Sequence, residues 1–227
     1  MTIILTNDDG IDAPGIQALQ HAVTQKNIIV APKSPLSGCG HRVTTSKPIH
    51  LQKRSPVEYA VDGTPADCSR MAITQIAKNK KITWVLSGIN AGGNLGTDIY
   101  ISGTVAAVRE AAIHGIPGIA ISHWIKRPLI VDWQVASRWT ARVLETLFHR
   151  SLPPYSFWNV NLPHLEPNAP EPKIVFCDLS IDPLPVDYRV EEDLYYYQGE
   201  YAKRDRSPGT DVDVCFSGNI AVSLIKL

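Results

Sequence analysis

The chain lacks the features that mark several specialised classes of protein. Lys and Arg number 22 and Asp and Glu also number 22, so there is no charge excess to attract nucleic-acid polymers or an acidic membrane surface. No apolar run approaches the roughly 18 residues of a membrane span, and the first residues have neither the basic stretch nor the long apolar run of a secretory signal. The four cysteines show no paired CxxC spacing, which favours reduced thiols over a disulfide framework or a zinc site. We expect a cytoplasmic globular protein.

Three common catalytic signatures are also missing. There is no Walker loop ending in GKS or GKT and no GxGxxG dinucleotide fingerprint, so P-loop ATP hydrolysis and NAD-dependent chemistry lose support. There is no GxSxG elbow of a serine hydrolase. Nothing in the sequence around Cys39 indicates a lowered thiol pKa, so this residue is not a convincing nucleophile.

What is present is an alternation of short apolar runs and amphipathic stretches that suits a large α/β domain. Continuous apolar runs, typical of strands buried on both faces of a parallel sheet, lie at residues 2–5, 28–31, 84–86 and 118–121. Helical spacing and start signals predict helices that begin near Asp12–Pro14 and Thr64–Asp67 and that span about 105–114 and 132–148. Residues 41–51 and 57–61 suggest a pair of strands beside them. This order predicts a Rossmann-like, doubly wound, mostly parallel sheet.

The amino-acid composition changes after residue 152. Nine of the 17 prolines lie in the last 75 residues, which disfavours long helices there, and five of the eight tyrosines fall between Tyr188 and Tyr201. Consecutive tyrosines between β-prone runs suggest a hairpin or arm. We therefore divide a single domain into a core with the functional loops, residues 1–152, and residues 153–227, which hold the last core strands and a tyrosine-rich arm.

Ligands of such sheets bind beyond the carboxyl ends of the strands, and the loops expected there are polar and rich in glycine. The first of them contains the adjacent carboxylates Asp8 and Asp9, which repel each other unless a proton or a cation intervenes. Oxygen ligands of this kind suit Mg²⁺ or Mn²⁺. The alternative is an ordinary Asp-Asp-Gly turn, in which one carboxylate caps the first helix and the other is solvated.

The loop over residues 88–103 holds five of the 15 glycines. Glycines let backbone N–H groups approach an anion, and Ser102-Gly103-Thr104 stands where a helix is expected to begin. A long surface loop with a Ser or Thr cap explains the pattern equally well. His41, after the second loop, could orient a phosphate or a leaving group, although an isolated histidine is more often structural.

At these loops the chain closely resembles the SurE survival proteins, which are metal-dependent nucleoside monophosphate phosphatases. The resemblance extends from residue 2 to the C-terminus and is carried by several motifs in the family's order: residues 6–15 (TNDDGIDAPG), 30–32 with 37–38, 62–68 (DGTPADC), 87–92 (SGINAG), 94–96, 102–105, 159–163 (NVNLP) and 209–213 (GTDVD).

The resemblance implies a site and an activity. One divalent cation, Mg²⁺ or Mn²⁺, would be held by four residues: Asp8, Asp9, Ser37 and Asn90. Phosphate would be bound by four others: Asn94, Ser102, Gly103 and Thr104. The family's members hydrolyse nucleoside 5′-monophosphates, some of them also 3′-nucleotides or short polyphosphate, and they form homodimers or homotetramers by exchanging an arm, here the tyrosine-rich stretch.

The sequence departs from the family pattern at three places. Lys33-Ser34-Pro35-Leu36 replaces a loop that is usually acidic and then basic, which bears on substrate preference. Gly92-Gly93 stands where proline or alanine is commoner at the second place, and residues 15–27 are shortened.

The hypothesis that follows is metal-assisted hydrolysis of a phosphomonoester, with Asp8 as the catalytic carboxylate. We favour attack by water over attack by an aspartate, because the DxD pairing of aspartyl-phosphate phosphatases is absent. A nucleotide sensor without turnover and a hydrolase for another phosphoester remain the alternatives.

Overall fold

A nine-stranded sheet forms the centre of the molecule. The computed structural model describes all 227 residues. The strands are β1 (Thr2–Thr6), β2 (Asn27–Pro32), β3 (Leu51–Ser55), β4 (Glu58–Val61), β5 (Ile82–Ala91), β6 (Gly118–His123), β7 (Ser156–Leu162), β8 (Ile174–Phe176), β9 (Tyr188–Glu191), β10 (Leu194–Tyr197) and β11 (Ile220–Lys226). The α-helices are α1 (Pro14–Ala22), α2 (Pro65–Met71), α3 (Gly103–Ile113), α4 (Trp133–Phe148) and α5 (Asp211–Phe216).

The strand order is β3-β4-β2-β1-β5-β6-β7-β11-β8, and β9 and β10 form a separate hairpin. All neighbouring pairs are parallel except β3 with β4 and β7 with β11. The chain runs outward from β1 through β2 and then returns to add β5 on the other side of β1. This reversal makes the sheet doubly wound and confirms the predicted fold class.

Two apolar layers hold the helices to the sheet. On one face α1 and α4 pack over a core that includes Leu5, Leu86 and Ile119. On the other face α2 and α3 pack over a core that includes Ile4 and Val85. Neighbouring residues of β1 and β5 thus point into opposite cores, which explains why these strands are apolar without alternation.

Three of the five α-helices begin with a side-chain cap, whereas α1 and α5 do not. The Thr64 hydroxyl accepts the Asp67 N–H at 3.1 Å while the Asp67 carboxylate accepts the Thr64 N–H at 2.9 Å, so the predicted capping box of α2 is confirmed. The order Asp12-Ala13-Pro14 suggests Asp12 as the cap of α1, but its side chain does not cap this helix. The N-cap is Ala13, without a side-chain bond, and the Asp12 carboxylate instead pairs with the guanidinium of Arg54 on β3.

The pair of strands expected at 41–51 and 57–61 is shorter than predicted. Residues 41–50 form no strand, and β3 begins only at Leu51. Thr44 shows why, because its N–H and its hydroxyl both donate to the Asp67 carboxylate, at 2.9 and 2.7 Å, instead of to a neighbouring strand. Pro48 removes a further donor from the segment.

The segment after residue 152 completes the sheet. β11 inserts between β7 and β8, antiparallel to β7 and parallel to β8, so the sheet is continuous across the two parts of the predicted division. The predicted tyrosine hairpin is present as β9 and β10, and every residue of both strands is exposed. No helix is both long enough and apolar enough to cross a membrane.

Candidate functional site

The candidate site lies where the winding of the sheet reverses, at the carboxyl ends of β1 and β5. Parallel strands on either side of such a reversal leave a crevice between the loops that follow them. The loop after β1 carries Asp8 and Asp9, and the end of β5 carries Asn90. The sheet therefore brings together residues that are about 80 positions apart in the sequence.

Asp8 is a buried carboxylate without a cationic partner. It is 4% exposed and accepts a short hydrogen bond from the Thr104 hydroxyl, but it takes part in no ion pair. Burial raises the pKa of this carboxyl to about 6, an effect that the Thr104 bond opposes and the neighbouring charge of Asp9 reinforces. A bound divalent cation would compensate the charge that this environment disfavours.

Asp9 and Asn90 complete the edge beside β5. The Asp9 carboxylate accepts the backbone N–H of Ala91 at 3.1 Å. The Asn90 side-chain amide donates to the carbonyl of Gly92 at 2.8 Å, which uses its nitrogen and leaves its oxygen as an acceptor. Asp9 and Asn90, predicted ligands from different loops, thus both bond to the backbone of Ala91 and Gly92.

The second loop is attached to the first by its backbone. The N–H of Leu36 donates to the carbonyl of Asp8 at 2.8 Å, and the N–H of Gly40 donates to the carbonyl of Ile101 at 3.0 Å. Ser37, the fourth predicted ligand, follows Leu36 directly and is exposed. The two hydrogen bonds hold this loop between the carboxylate loop and the start of α3.

The predicted ligands fit a hard divalent cation by chemistry. Asp8, Asp9, Ser37 and Asn90 offer two carboxylates, a hydroxyl and an amide oxygen, which are ligands of the Mg²⁺ and Mn²⁺ type. The chain contains no group of three or more His, Cys, Asp or Glu residues that could hold a metal, so a cation here would need the Ser37 hydroxyl and the Asn90 amide oxygen as well as the two carboxylates. The buried side-chain oxygen of Asn7, one residue before the carboxylates, has no hydrogen-bond partner in the protein.

The start of α3 has the properties of an anion site. The Ser102 hydroxyl accepts the Val105 N–H at 3.1 Å and caps the helix, which leaves its hydrogen free to donate to an anion. Gly103 packs directly on the carboxylate: a Cβ here would lie 2.8 Å from the Asp8 Cβ and 3.0 Å from the Cys39 Sγ. Thr104 gives its hydroxyl hydrogen to Asp8, and its backbone N–H also faces that carboxylate.

Asn94 is held by Asn159 and Asn161 of the NVNLP motif, whose structural role the sequence alone did not indicate. Its carbonyl accepts the side-chain amides of Asn159 and Asn161, at 2.8 and 3.0 Å, and its N–H donates to Asn161 at 2.8 Å. Its own amide donates to Ser122 at 2.7 Å and keeps a second hydrogen for a ligand. The available signal was the spacing of two asparagines on one face of an apolar strand.

A buried ionic network anchors the next turn of the chain. The Asp98 carboxylate accepts the N–H of Leu95 at 3.1 Å, the guanidinium of Arg204 at 2.8 Å and the hydroxyl of Tyr201 at 2.6 Å. Asp211, within the GTDVD motif, accepts the N–H of Gly96 at 2.7 Å. Tyr201 and Arg204, which follow the hairpin, and Asp211, at the start of α5, thereby fix the loop that carries Asn94.

His41 and Cys39 have structural surroundings. The His41 imidazole bonds the buried Glu110 carboxylate at 2.7 Å, and Arg70 and His114 bond the same carboxylate. Glu110 lies eight residues, or about 12 Å, along α3 from its cap, so His41 is held away from the helix start. Burial raises the pKa of the Cys39 thiol, which agrees with the expectation that it is not a nucleophile.

The sheet is doubly wound, and paired carboxylates and a hydroxyl-bearing helix start lie where its winding reverses. These features define a class of α/β proteins that bind a phosphorylated small molecule at the carboxyl edge of the sheet. The model of the family described as survival protein SurE matches residues 3–182. The chain belongs to the SurE family.

Individual relatives agree with this assignment over the whole chain. A protein of Nostoc sp. strain PCC 7120, whose name assigns it provisionally as a 5′-nucleotidase, is 64% identical over 228 residues that cover 100% of both chains. The 5′-nucleotidase SurE of Paramagnetospirillum magneticum is 35% identical over 98% of this chain and 88% of its own. The crystal structure of the SurE protein from Aquifex aeolicus superposes with a TM-score of 0.87 at 32% identity and covers 100% of this chain and 93% of that one.

Proposed function

We propose that this chain hydrolyses nucleoside 5′-monophosphates to nucleoside and phosphate with the help of a divalent cation. The observation that carries the proposal is the placement of Asp8, a buried carboxylate without a cationic partner that touches the first turn of α3. The same carboxylate thus faces both the candidate metal ligands and the candidate phosphate site. Membership of the SurE family, whose relatives are named 5′-nucleotidases, supports the reaction.

In this proposal Asp8, Asp9, Ser37 and Asn90 hold one cation, Mg²⁺ or Mn²⁺. When bound, the cation supplies Lewis-acid stabilisation of the phosphoryl oxygens and lowers the pKa of a coordinated water. The chain itself orients the carboxylates: Thr104 fixes Asp8 and the Ala91 N–H fixes Asp9.

The phosphate is bound by the first turn of α3 and by Asn94. The Ser102 hydroxyl and the N–H groups of Gly103 and Thr104 neutralise the charge on the equatorial oxygens, and the helix dipole adds to their effect. Glycine at 103 lets the first turn of α3 pack directly against Asp8, because a Cβ there would lie only 2.8 Å from the Asp8 Cβ.

The nucleophile distinguishes two versions of the mechanism, and we favour direct attack by water. A single turnover of ³²P-labelled AMP with enzyme in excess, quenched at short times, separates them. Label found only in substrate and free phosphate supports water. Label transiently attached to the peptide that carries Asp8 and Asp9 identifies one of these carboxylates as the nucleophile.

The experiment that tests the proposed function is a substrate panel with and without metal. We expect phosphate release from nucleoside 5′-monophosphates with Mg²⁺ or Mn²⁺ and none in EDTA. Nucleotide binding without release would identify a sensor, and preferential release from sugar phosphates or polyphosphate would identify another phosphoesterase. The same panel, extended to 3′-nucleotides, measures the positional preference.

The proposal includes a cytoplasmic homo-oligomer, a dimer or a tetramer. Its support is the hairpin β9–β10, on which Tyr188, Val190, Leu194 and Tyr195 are all exposed. An apolar surface of this kind on a two-stranded ribbon is typical of an association surface. The molar mass in solution, measured by light scattering, tests this part separately.

A further inference from the structure

A large cavity lies outside the carboxylate and α3 loops, on the face of the sheet that α4 covers. It has a volume of about 770 Å³ and is formed by the first half of α4, the segment after β6 and the segment after β7. Leu129, Val135 and Trp139 give it an apolar lining, and His123 and His164 lie in its wall. Its volume is within the range of sites that bind small molecules.

His123 presents a hydrogen-bond acceptor to this cavity. It is 3% exposed, and its Nδ1 lies 2.7 Å from the carbonyl of Trp124. Since a carbonyl only accepts, Nδ1 carries the hydrogen and Nε2 carries a lone pair. No protein group donates to that lone pair, so this side chain is buried, polar and unpartnered.

His164 lies beside His123 in the cavity wall. Its Nδ1 accepts the N–H of Lys126 at 3.0 Å, which places the hydrogen on Nε2, 3.3 Å from the carbonyl of Ile130. The two imidazoles meet edge to face with centroids 5.0 Å apart. Burial lowers the pKa of His123 to about 4, and the proximity of His164 contributes. Four charged residues also line the cavity, Asp132, Arg138, Glu166 and Glu171, and Arg138 and Glu171 pair with each other at 3.3 Å.

The cavity is close to the candidate metal loop. In the sheet register His123 is opposite Ala91 and forms a bridge with Gly92, and the N–H of Ala91 donates to Asp9. β6 is two strands from β1, a separation of about 10 Å. The backbone between the two sites is Ala91-Gly92-Gly93, which bears no side chain larger than a methyl group. A mononucleotide is long enough to reach from the candidate phosphate site across this stretch of backbone into the cavity.

We propose that this cavity is the subsite for the nucleobase, and that His123 Nε2 accepts a hydrogen bond from an amino or ring N–H group of the base. The inference rests on the proposed function. A flat heterocycle that carries N–H donors matches a cavity that combines the apolar side chains of Leu129, Val135 and Trp139 with a buried acceptor. Flipped-out bases are read in the same way, by edge hydrogen bonds between apolar surfaces. A sugar phosphate without a base cannot use it.

The test compares nucleotides with a substrate that has no base. kcat/KM is measured for AMP, GMP, CMP and UMP and for ribose 5-phosphate, with the parent and with three variants. His123→Phe removes the acceptor and keeps a ring, Val135→Phe fills the cavity from α4, and His21→Phe repeats the first change at an exposed position of α1. We expect His123→Phe to lower the ratio of the best nucleotide to ribose 5-phosphate roughly tenfold, mainly through KM. Val135→Phe should lower it as well, and His21→Phe should leave it at the parent value.

A second measurement needs neither metal nor turnover. Binding of the free nucleosides to the protein in EDTA is followed by calorimetry, and we expect Val135→Phe to abolish it. The proposal is overturned if folded Val135→Phe keeps both the parent's substrate ratio and its nucleoside affinity, or if the parent binds no nucleoside. If the parent releases no phosphate from any substrate, the proposed function fails, and nucleoside binding still decides the role of the cavity.

Discussion

Neither the loop that carries Asn94 nor the hairpin β9–β10 has a regular pattern of apolar residues in the sequence. The rest of the chain packs on the loop, however, and leaves the hairpin exposed. In the loop, buried side chains from β6, β7, the arm and α5 bond almost every polar group. In the hairpin every residue is exposed, and the contacts are local, such as the bond from the Tyr197 hydroxyl to the carbonyl of Pro185 at 2.7 Å. The loop is therefore rigid because of the rest of the chain, whereas the hairpin has apolar surface that the chain itself does not cover.

The largest effect on the loop side of this comparison is expected from Asp8→Asn. The amide keeps the shape of the carboxylate but loses the charge that a cation needs, so kcat/KM for AMP should fall at least about a thousandfold. Circular dichroism should show an unchanged fold. Asp12→Asn is the matched control, because Asp12 is exposed and pairs only with Arg54. Parent-like turnover by Asp8→Asn would refute the metal assignment.

Arg204→Met tests the anchoring of the loop. The change leaves Asp98 buried without its cation, and the free energy of unfolding should fall by about 3–5 kcal/mol. Chemical denaturation measures this, with Lys203→Met as the neighbouring control. Lys203 forms only an exposed pair with Glu200, and its loss should cost less than about 1 kcal/mol. Equal costs for the two variants would contradict the anchoring role.

Ser102→Ala separates the structural and the chemical role of one hydroxyl. Loss of the cap should cost about 1 kcal/mol of stability, and loss of a donor to the phosphate should raise the barrier to reaction by about 2–4 kcal/mol. Thr64→Ala removes the equivalent cap from α2 and should affect stability alone, because the Thr64 hydroxyl bonds only the Asp67 N–H and the Arg42 carbonyl. If kcat/KM of Ser102→Ala matches that of Thr64→Ala, Ser102 does not contact the reacting group.

The smallest effect on stability is expected in the hairpin. Tyr195→Ser should change the free energy of unfolding of a dilute monomer by less than about 0.5 kcal/mol, because the side chain is exposed. The molar mass found by light scattering should nevertheless fall, since the variant removes apolar surface from the proposed association site. An unchanged mass together with unchanged stability would leave the hairpin without the proposed role.

The same contrast explains which parts of the molecule could be predicted from sequence. Strands β1, β2, β5 and β6 were predictable because a strand that is buried on both faces consists of a short, continuous run of apolar residues. The capping box of Thr64 and Asp67 was predictable because both partners are three residues apart. The carboxylates Asp8 and Asp9 stood out because adjacent like charges after a buried strand require an explanation.

The remaining features depend on residues that meet only in the folded chain. Thr104 and Asp8 are 96 residues apart and Arg204 and Asp98 are 106 residues apart, so neither bond leaves a pattern in any local window. The insertion of β11 between β7 and β8 is equally remote from local propensity. The metal and phosphate ligands came as a set only from the resemblance to a family, and their roles stay predictions.

The position of β11 also has a consequence for biosynthesis. Chains emerge from the ribosome N-terminal part first, so β7 is made about 60 residues before the strand that pairs with its outer edge. During that interval β7 is an open edge able to pair with another nascent chain. The asparagines that hold Asn94 belong to β7, so the loop that carries Asn94 reaches its final shape only after residues 220–226 have been made and have paired with β7.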